Sequence, residues 1–227
     1  MNGTLYGIGV GPGEPELLTL KAARLIRDCD LIAVPHRDPK QCFALSVALG
    51  AVPEAKDKPV LAIDMPMTRD ASARERAYEA GAKALEAALD EGKTVAFLTL
   101  GDPSVYSTYG YLQSILLRAG YDVRTVPGVP SFCAAAAELN APLCLDREPL
   151  HLIPGGEPIG DALALKGVKV FMKGGTESVL AAIKRRGCAA QAVENCGTPE
   201  QRVYRGIDEI PNDTGYFTVI IVKENEP

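Results

Sequence analysis

Short apolar segments alternate with amphipathic helical segments over the first 126 residues, and this alternation limits the possible folds more than any other feature of the sequence. Strands are predicted where short apolar runs occur, at 5–10, 31–34, 60–63, 94–98 and 122–126. Helices are predicted where apolar residues recur at helical spacing, at 16–28, 42–49, 71–91 and 106–118. Because strands joined by helices pair in parallel, an α/β lobe around a mostly parallel sheet is predicted here.

The longest predicted helix carries a signal at each end. Ser72 and Glu75 have the spacing of a capping box, in which each side chain bonds to a backbone N–H near the other. Gly92 follows the last turn, where a glycine commonly ends a helix. The sequence therefore predicts a helix that begins beside Ser72 and stops at Gly92.

The pattern changes after the segment 127–130 (PGVP). Strands are predicted near 150–153, 168–172, 190–194, 201–204 and 217–222, helices near 132–139 and 178–185, and a loop at 154–160. No helix separates the last strands, so they are expected to pair antiparallel. The prediction is two α/β lobes, an N-terminal one at 1–127 and a C-terminal one at 128–227 whose mixed sheet contains antiparallel strands.

Charge and composition exclude several classes of protein. The chain has 24 Lys and Arg against 29 Asp and Glu, a net charge of −5, whereas a nucleic-acid binder usually presents a basic face. It has no signal-peptide pattern and no apolar run approaching the roughly 20 residues of a membrane span. Six cysteines and two histidines form no ligand pattern. We therefore expect a cytoplasmic protein without nucleic-acid or membrane partners, with no metal site and with reduced thiols.

A glycine-rich segment at 9–13 (GVGPG) directly follows the first predicted strand. Glycines at this position allow either a tight strand-to-helix turn or a close approach of the backbone to a ligand. The segment is not a dinucleotide fingerprint, because Glu14 stands where the last glycine is needed. The chain also lacks the Gly-Lys-Ser/Thr of a phosphate-binding loop, so both interpretations stay open.

Two further segments end in a polar side chain just after a strand. In the segment 98–103 (LTLGDP), Asp102 could accept hydrogen bonds from a ligand, or it or Ser104 could cap the next helix. In the segment 126–132 (VPGVPSF), Ser131 could cap the helix that follows or hold a carboxylate. Two histidines outside any hydrolase motif give no basis for a catalytic triad.

Taken together, these segments resemble the tetrapyrrole (corrin/porphyrin) methylase family along nearly the whole chain. The matching segments are 6–13 (YGIGVGPG), 17–19 (LLT), 100–103 (LGDP), 127–129 (PGV), 171–172 (FM) and 193–195 (VEN). One branch, the precorrin-2 or cobalt-factor II C(20)-methyltransferases of cobalamin biosynthesis, is resembled further at 65–70 (MPMTRD), 101–108 (GDPSVYST), 142–143 (PL) and 153–154 (IP).

The resemblance implies a fold, a cofactor and a reaction. It implies S-adenosylmethionine in a cleft between two α/β lobes, a tetrapyrrole substrate methylated at meso carbon 20, and a homodimer. The alternative is a tetrapyrrole methylase acting on another ring carbon. The cofactor site implied by the resemblance consists of Pro12, Leu100, Gly101, Asp102, Val105, Ser131, Phe132, Met172 and Asn195. Gly11 and Gly13 would face the tetrapyrrole.

Transfer of an activated methyl group depends more on alignment of the two reactants than on an acid–base pair. A base that afterwards removes the meso proton has three unranked candidates: Asp102, Tyr106 and His36. His36 and His151 could alternatively be axial ligands of a substrate cobalt, or ordinary surface histidines.

An acidic protein needs local cations to hold a substrate with many carboxylates. The candidates are Arg37, Lys40, Arg69 and Arg147, each of which could equally be a solvated surface charge. These four side chains are the predicted substrate-binding cations.

Overall fold

The computed structural model describes residues 2–68 and 70–223, and it divides into two compact units, Met1–Pro130 and Ser131–Pro227. The elements of the first unit are β1 (Thr4–Gly9), α1 (Leu20–Asp28), β2 (Leu31–Val34), α2 (Phe43–Ala51), β3 (Val60–Ala62), α3 (Ala71–Asp90), β4 (Val95–Thr99), α4 (Tyr109–Arg118) and β5 (Asp122–Val126). Its strands lie in the order β3-β2-β4-β1-β5 and every pair is parallel. The predicted α/β character of this part is confirmed.

Side chains of the first sheet alternate between two apolar layers. On one layer, Leu98 of β4 belongs to a buried cluster with Leu25 and Ile26 of α1 and with residues of α2. On the other layer, Phe97 belongs to a cluster with Leu85 of α3 and Leu112 of α4. Helix α1, which follows β1, and helix α4, which follows β4, cover opposite faces of the sheet. The connections after these two neighbouring strands therefore run to opposite faces. Open α/β sheets bind ligands at such a position, beyond the carboxyl ends of the strands.

The ring of Tyr109 occupies the space that a side chain on β1 would need. A Cβ built on Gly7 would lie 2.0 Å from the Cζ atom of that ring. Tyr109 is fully buried, and its hydroxyl donates a hydrogen bond of 3.2 Å to the carbonyl of Arg124 on β5. The first turn of α4 is thereby fixed against the middle of the sheet.

The elements of the second unit are α5 (Ser131–Glu138), β6 (Leu150–Pro154), α6 (Ile159–Ala164), β7 (Val168–Met172), α7 (Thr176–Arg186), β8 (Ala189–Glu194), β9 (Arg202–Tyr204) and β10 (Thr218–Lys223). The strand order is β6-β7-β10-β8-β9, in which only β6 and β7 pair in parallel. Helices α6 and α7 pack on Phe171 and Ile220 in one buried cluster. The predicted mixed sheet with antiparallel final strands is confirmed.

Several predicted helix limits are wrong. The predicted helix at 16–28 is a short 3₁₀ turn, Pro15–Leu17, followed by α1, whose N-cap is Thr19. The predicted capping box does not form, because Asp70 caps α3 and accepts hydrogen bonds from the N–H groups of Ser72 and Ala73. The segment predicted as a loop at 154–160 includes the start of α6.

Candidate active site

Loops from three neighbouring strands meet at the carboxyl edge of the first sheet. They follow β1, β4 and β5, which lie side by side, and they contain the glycine segment, the Gly-Asp-Pro segment and Gly128. Within the glycine segment, Gly11, Pro12 and Gly13 are all buried. The sequence thus brings its three motif segments to one edge, because parallel strands end on the same side of a sheet.

A backbone bridge joins the first two loops. Gly11 and Gly101 exchange two hydrogen bonds, with N···O distances of 3.3 Å from Gly11 N and 2.7 Å from Gly101 N. Both residues have left-handed backbones, with φ of +76° and +71°, which glycine adopts without steric cost. The glycines here serve a paired turn, and Gly101 also leaves open space, because an added Cβ would meet nothing within 4 Å.

The third loop contacts the first two without intervening side chains. A Cβ on Gly128 would lie 2.3 Å from the carbonyl oxygen of Gly101 and 2.8 Å from the backbone of Gly9. A Cβ on Gly9 would lie 2.6 Å from that same oxygen. Gly9, Gly101 and Gly128 therefore form a glycine contact in which backbone touches backbone.

The Asp102 carboxylate holds the second and third loops together. One oxygen accepts a hydrogen bond of 3.0 Å from the N–H of Gly128, and the other accepts two from Ser104. Partial burial opposes ionisation, but the bonds from Ser104 and Gly128 outweigh it and hold the pKa of Asp102 below its usual range. Neither Asp102 nor Ser104 caps α4, whose N-cap is Thr108.

The loop between Asp102 and α4 is fixed at its second end as well. The Ser107 hydroxyl lies 2.9 Å from the hydroxyl of buried Thr99 and accepts a hydrogen bond from the N–H of Tyr109. Tyr106, beside it, has φ of +48° and is 46% exposed. Helix α4 therefore starts at Tyr109 and not at residue 106 as predicted, because residues 106–108 form a loop.

Val105, also expected at the cofactor, is half-buried and donates its N–H to the carbonyl of Asp102.

In the second unit, the residues expected near the cofactor lie at the ends of several elements. Ser131 is the first residue of α5 and is half-buried. Phe132 and Met172 are buried, the latter as the last residue of β7. Asn195 follows β8 with φ of +50°, and its N–H donates to the carbonyl of Phe217.

A cavity of about 180 Å³ lies beyond the carboxyl ends of the parallel strands β6 and β7. Its apolar wall comes from Ile153, Phe171, Met172 and Val179, and its rim from two glycine pairs at 155–156 and 174–175. A Cβ on Gly156 or Gly175 would meet nothing within 4 Å. A Cβ on Gly155, in contrast, would lie 2.1 Å from the carbonyl oxygen of Lys173, so this edge combines a glycine contact with open volume.

Three of the four predicted substrate-binding cations lie in the described part of the chain. Arg37, Lys40 and Arg147 are exposed, and none of them forms an ion pair within the described part of the chain. Arg69 lies outside the described residues. The two cations at 37 and 40 follow β2, which neighbours β4, so they lie at the same carboxyl edge as the three motif loops.

Both histidines are held by nearby backbone. The Nδ1 atom of His36 lies 2.7 Å from the carbonyl oxygen and 3.1 Å from the nitrogen of Asp38. The Nε2 atom of His151 lies 2.9 Å from the carbonyl oxygen of Lys166. Among the residues described, no group of three or more His, Cys, Asp or Glu side chains is placed to hold a metal ion.

Sequence reasoning missed several residues around these edges. Thr99 and Ser107 carry no sequence signal beyond their place beside the Gly-Asp-Pro segment, yet they fix its loop. Lys173 follows Met172 with φ of +58°, and burial lowers the pKa of its amine. Glu194 is 8% exposed and accepts hydrogen bonds from Gly215 N–H at 2.6 Å and Tyr204 hydroxyl at 3.1 Å.

Comparison with known families identifies the kind of protein to which these two units belong. The model of the tetrapyrrole (corrin/porphyrin) methylases matches residues 4–209. The chain belongs to the tetrapyrrole methylase family. The resemblance inferred from the motif segments is thus confirmed.

Relatives of this methylase match it over almost its full length. It is 33% identical to the cobalt-precorrin-2 C(20)-methyltransferase of Salmonella typhimurium over 237 residues, covering 99% of this chain and 98% of that one. It is also 33% identical to the probable cobalt-precorrin-2 C(20)-methyltransferase of Methanocaldococcus jannaschii, covering 96% of this chain and 95% of that one.

A solved structure agrees with the fold. The uroporphyrin-III C-methyltransferase of Thermus thermophilus, crystallised with S-adenosyl homocysteine, superposes with a TM-score of 0.69 at 24% identity. The superposition covers 98% of each chain. This likeness extends to both units, so the predicted two-lobe α/β fold is confirmed.

The residues of this methylase fit the parts of S-adenosylmethionine. Open space beside the Gly101 backbone gives room for a ligand to approach main-chain atoms, and the ionised Asp102 lies next to it. The second unit by itself offers apolar surface at Phe132 and Met172 and a hydroxyl at Ser131, the first residue of α5. Each unit thus presents groups of a kind that a polar, partly aromatic ligand needs.

Proposed function

We propose that this protein transfers a methyl group from S-adenosylmethionine to meso carbon 20 of precorrin-2 carrying cobalt, in cobalamin biosynthesis. The observation that carries the proposal is the full-length identity of 33% to two relatives named for this reaction on the cobalt form. The motif segments at 65–70 and 101–108, which led to the same branch, agree with it. The metal-free ring is the alternative that the experiment below separates.

The glycine contact suits a reaction that depends on alignment. The three loops are held together by the two backbone bonds between Gly11 and Gly101 and by the bond from Gly128 N–H to Asp102. A bound sulfonium supplies an already activated methyl group, so the protein's task is to orient two reactants and exclude water. Orientation of bound reactants can lower a barrier by roughly 7–11 kcal/mol. No acid–base pair is then needed for the transfer itself.

Asp102 acts as a positioning residue in this proposal, not as a base. Its oxygens already accept hydrogen bonds from Gly128 and Ser104, and its lowered pKa makes it a weak proton acceptor. The carboxylate instead keeps the loops after β4 and β5 in register. Of the other two candidate bases, His36 is bonded through Nδ1 to the backbone of Asp38.

Exposed cations would hold the carboxylate side chains of the macrocycle. Arg37 and Lys40 have no ion-pair partner within the described part of the chain, and they follow the strand next to β4. An arginine can grip a carboxylate with two parallel hydrogen bonds, which fixes both position and orientation. Arg147, which is also exposed, is the corresponding candidate in the second unit.

We further propose a cytoplasmic homodimer, with the cofactor bound where the resemblance to the family predicts it. All six cysteines lie in the described part of the chain and none forms a disulfide, which fits a reducing compartment. None of the described helices has the length and apolar character needed to cross a bilayer. Sedimentation of the purified protein tests the dimer, and a single monomeric species would contradict it.

One assay tests the reaction. The purified protein is incubated with S-adenosylmethionine carrying a ¹³C methyl group and with precorrin-2 in its cobalt and metal-free forms, and the product is mapped by NMR. We expect one labelled methyl on carbon 20, formed faster from the cobalt form. Faster labelling of the metal-free ring would overturn the choice of substrate, and label on another carbon would identify a different tetrapyrrole methylase.

A further inference from the structure

A tyrosine in a backbone conformation that tyrosine avoids lies at the carboxyl edge of the first sheet. Five non-glycine residues of the described ranges have positive φ: Tyr106, Asn140, Asp146, Lys173 and Asn195. Asparagine and aspartate tolerate the left-handed region well, whereas a bulky side chain is strained there. Tyr106 and Lys173 are therefore the costly members of this group. Each follows the carboxyl end of a strand, and Tyr106 lies in the segment 101–108, which resembles the family.

The surrounding loop holds Tyr106 in this conformation from both sides. Before it, Asp102 accepts bonds from Ser104, and the N–H of Val105 donates to the carbonyl of Asp102 at 3.2 Å. After it, the Ser107 hydroxyl contacts Thr99 at 2.9 Å and receives the N–H of Tyr109. Strain of this kind persists only where neighbouring bonds over-determine it, and such residues concentrate at ligand-binding sites.

The exposure of Tyr106 indicates what the strain achieves. Its side chain is 46% exposed, although a tyrosine of this size at the base of a loop could be buried against the sheet, as Tyr109 is. A glycine or asparagine would relieve the strain, so the loop keeps an aromatic ring accessible at an energetic cost. Aromatic rings bind flat conjugated systems through offset-stacked or edge-to-face contacts.

We propose that Tyr106 is a substrate-contacting residue whose ring packs against the tetrapyrrole macrocycle and helps to select it. This inference rests on the proposed function, since it requires a tetrapyrrole substrate. It assigns the contact to the ring and not to the hydroxyl, and to the tetrapyrrole and not to the adenine of the cofactor. Thr99 and Ser107 are positioning residues that keep the ring presented.

Three substitutions separate strain from recognition. Tyr106→Asn removes the ring and tolerates the left-handed backbone, Tyr106→Phe keeps both the ring and the strain, and Tyr111→Ala removes another exposed tyrosine from α4 as a control. Asparagine is preferred to glycine because glycine also makes the unfolded chain more flexible. The measurements are the melting temperature, the affinity for S-adenosyl homocysteine and the KM for cobalt-precorrin-2.

We expect Tyr106→Asn to melt about 2–4 °C above Tyr106→Phe, because the strain is relieved. The KM of Tyr106→Asn for the tetrapyrrole should rise about tenfold, while Tyr106→Phe and Tyr111→Ala stay near wild type. Affinity for S-adenosyl homocysteine should be unchanged in all three. An unchanged KM in Tyr106→Asn, or a loss confined to S-adenosyl homocysteine, would overturn the inference. A lower melting temperature in Tyr106→Asn than in Tyr106→Phe would remove its premise.

The failure of this inference differs from the failure of the proposed function. If wild-type protein binds S-adenosyl homocysteine but transfers no methyl group to any precorrin-2 form, the proposed function falls and takes the tetrapyrrole contact with it. If wild type methylates the ring and Tyr106→Asn does so with the same KM, only the role of Tyr106 is wrong.

Discussion

The loops that follow the parallel strands touch through glycines in both units, but they leave different amounts of open space. In the first unit, the loops after β1, β4 and β5 touch through Gly9, Gly101 and Gly128, and no side chain fits between them. In the second unit, the loops after β6 and β7 also touch, since a Cβ on Gly155 would lie 2.1 Å from the carbonyl oxygen of Lys173. They nevertheless border a cavity of about 180 Å³, where Gly156 and Gly175 have open space beside them. Glycine at the second edge thus allows both a close contact and open volume.

The difference shows that a glycine-rich loop does not indicate one structural role. At the first edge, glycine is needed because backbone approaches backbone, so the loops are fixed relative to one another. At the second edge, Gly175 has room for a Cβ, whereas Gly156 has φ of +99°, a conformation that glycine adopts without steric cost. A rigid edge fits the orientation of a reacting group, whereas an edge with open volume fits accommodation of a ligand.

The largest loss of stability is expected from a substitution at Gly128. We expect Gly128→Ala to lower the free energy of unfolding by about 3 kcal/mol or more, because its Cβ would lie 2.3 Å from a backbone oxygen that cannot rotate away. The matched substitution in the second unit, Gly175→Ala, should cost about 1 kcal/mol or less, since it removes only an N-cap glycine.

Urea denaturation of both variants measures the contrast, with Gly110→Ala as a control inside α4, where an added Cβ also meets nothing. Gly110→Ala should be neutral or more stable by up to about 1 kcal/mol. Equal losses in Gly128→Ala and Gly175→Ala would show that Gly175 is packed as closely as Gly128.

The next largest effects on stability are expected at one carboxylate in each unit, Asp102 and Glu194. Asp102→Asn should cost about 1–3 kcal/mol at pH 7, because an amide nitrogen would oppose an N–H of Gly128 or Ser104. Glu194→Gln in the second unit should cost about 1 kcal/mol, since an amide can still accept from Gly215 and donate to Tyr204.

The pH dependence follows from the lowered pKa of Asp102. A carboxyl whose pKa is lower in the folded state contributes stability above the unfolded pKa, near 3.9, and loses it as the pH falls through the folded pKa. The difference in stability between wild type and Asp102→Asn should therefore shrink below about pH 4. A difference that stays constant from pH 7 to pH 3 would contradict the ionised state.

The smallest expected effects concern the exposed cations. Arg37→Ala and Lys40→Ala should each weaken tetrapyrrole binding about three- to tenfold, with no change in melting temperature, because neither side chain makes an ion pair within the described residues. The effect should diminish at high salt, since exposed charges are screened. Tetrapyrrole binding by Arg147→Ala tests an exposed cation of the second unit in the same way.

A titration of cobalt-precorrin-2 at low and high salt gives the affinities. Unchanged binding in both Arg37→Ala and Lys40→Ala would make these residues ordinary surface charges. A loss confined to Arg147→Ala would move carboxylate recognition to the second unit.

The sequence was enough to predict the class of the fold and the motif segments that follow the strands at one edge of the first sheet. Strand and helix periods differ so clearly over residues 1–126 that the alternation predicts a parallel sheet, and parallel strands necessarily bring their following loops to one edge. The absence of helices between the last strands likewise predicted their antiparallel pairing. These features depend on local patterns, which a sequence displays directly.

Features set by contacts between distant residues were not predictable. Helix α4 begins at Tyr109 and not at residue 106, because Thr99 and Ser107 hold Tyr106 in a left-handed conformation. Nothing in the local sequence indicates this conformation. The glycine contact needs the exact neighbours of Gly128, which only the strand order supplies. Asp102 does not cap α4, and its bond from Gly128 was not predictable because it joins two loops that are distant in the sequence.

The ring that covers Gly7 ties two distant positions of the chain to each other. With the Tyr109 ring 2.0 Å from where a Cβ would begin, a side chain at position 7 can appear only if residue 109 becomes smaller. Homologous proteins should therefore vary these two positions jointly, trading volume between a strand and the helix that crosses it. An engineer who enlarges one must reduce the other, and the double substitution should fold where either single one does not.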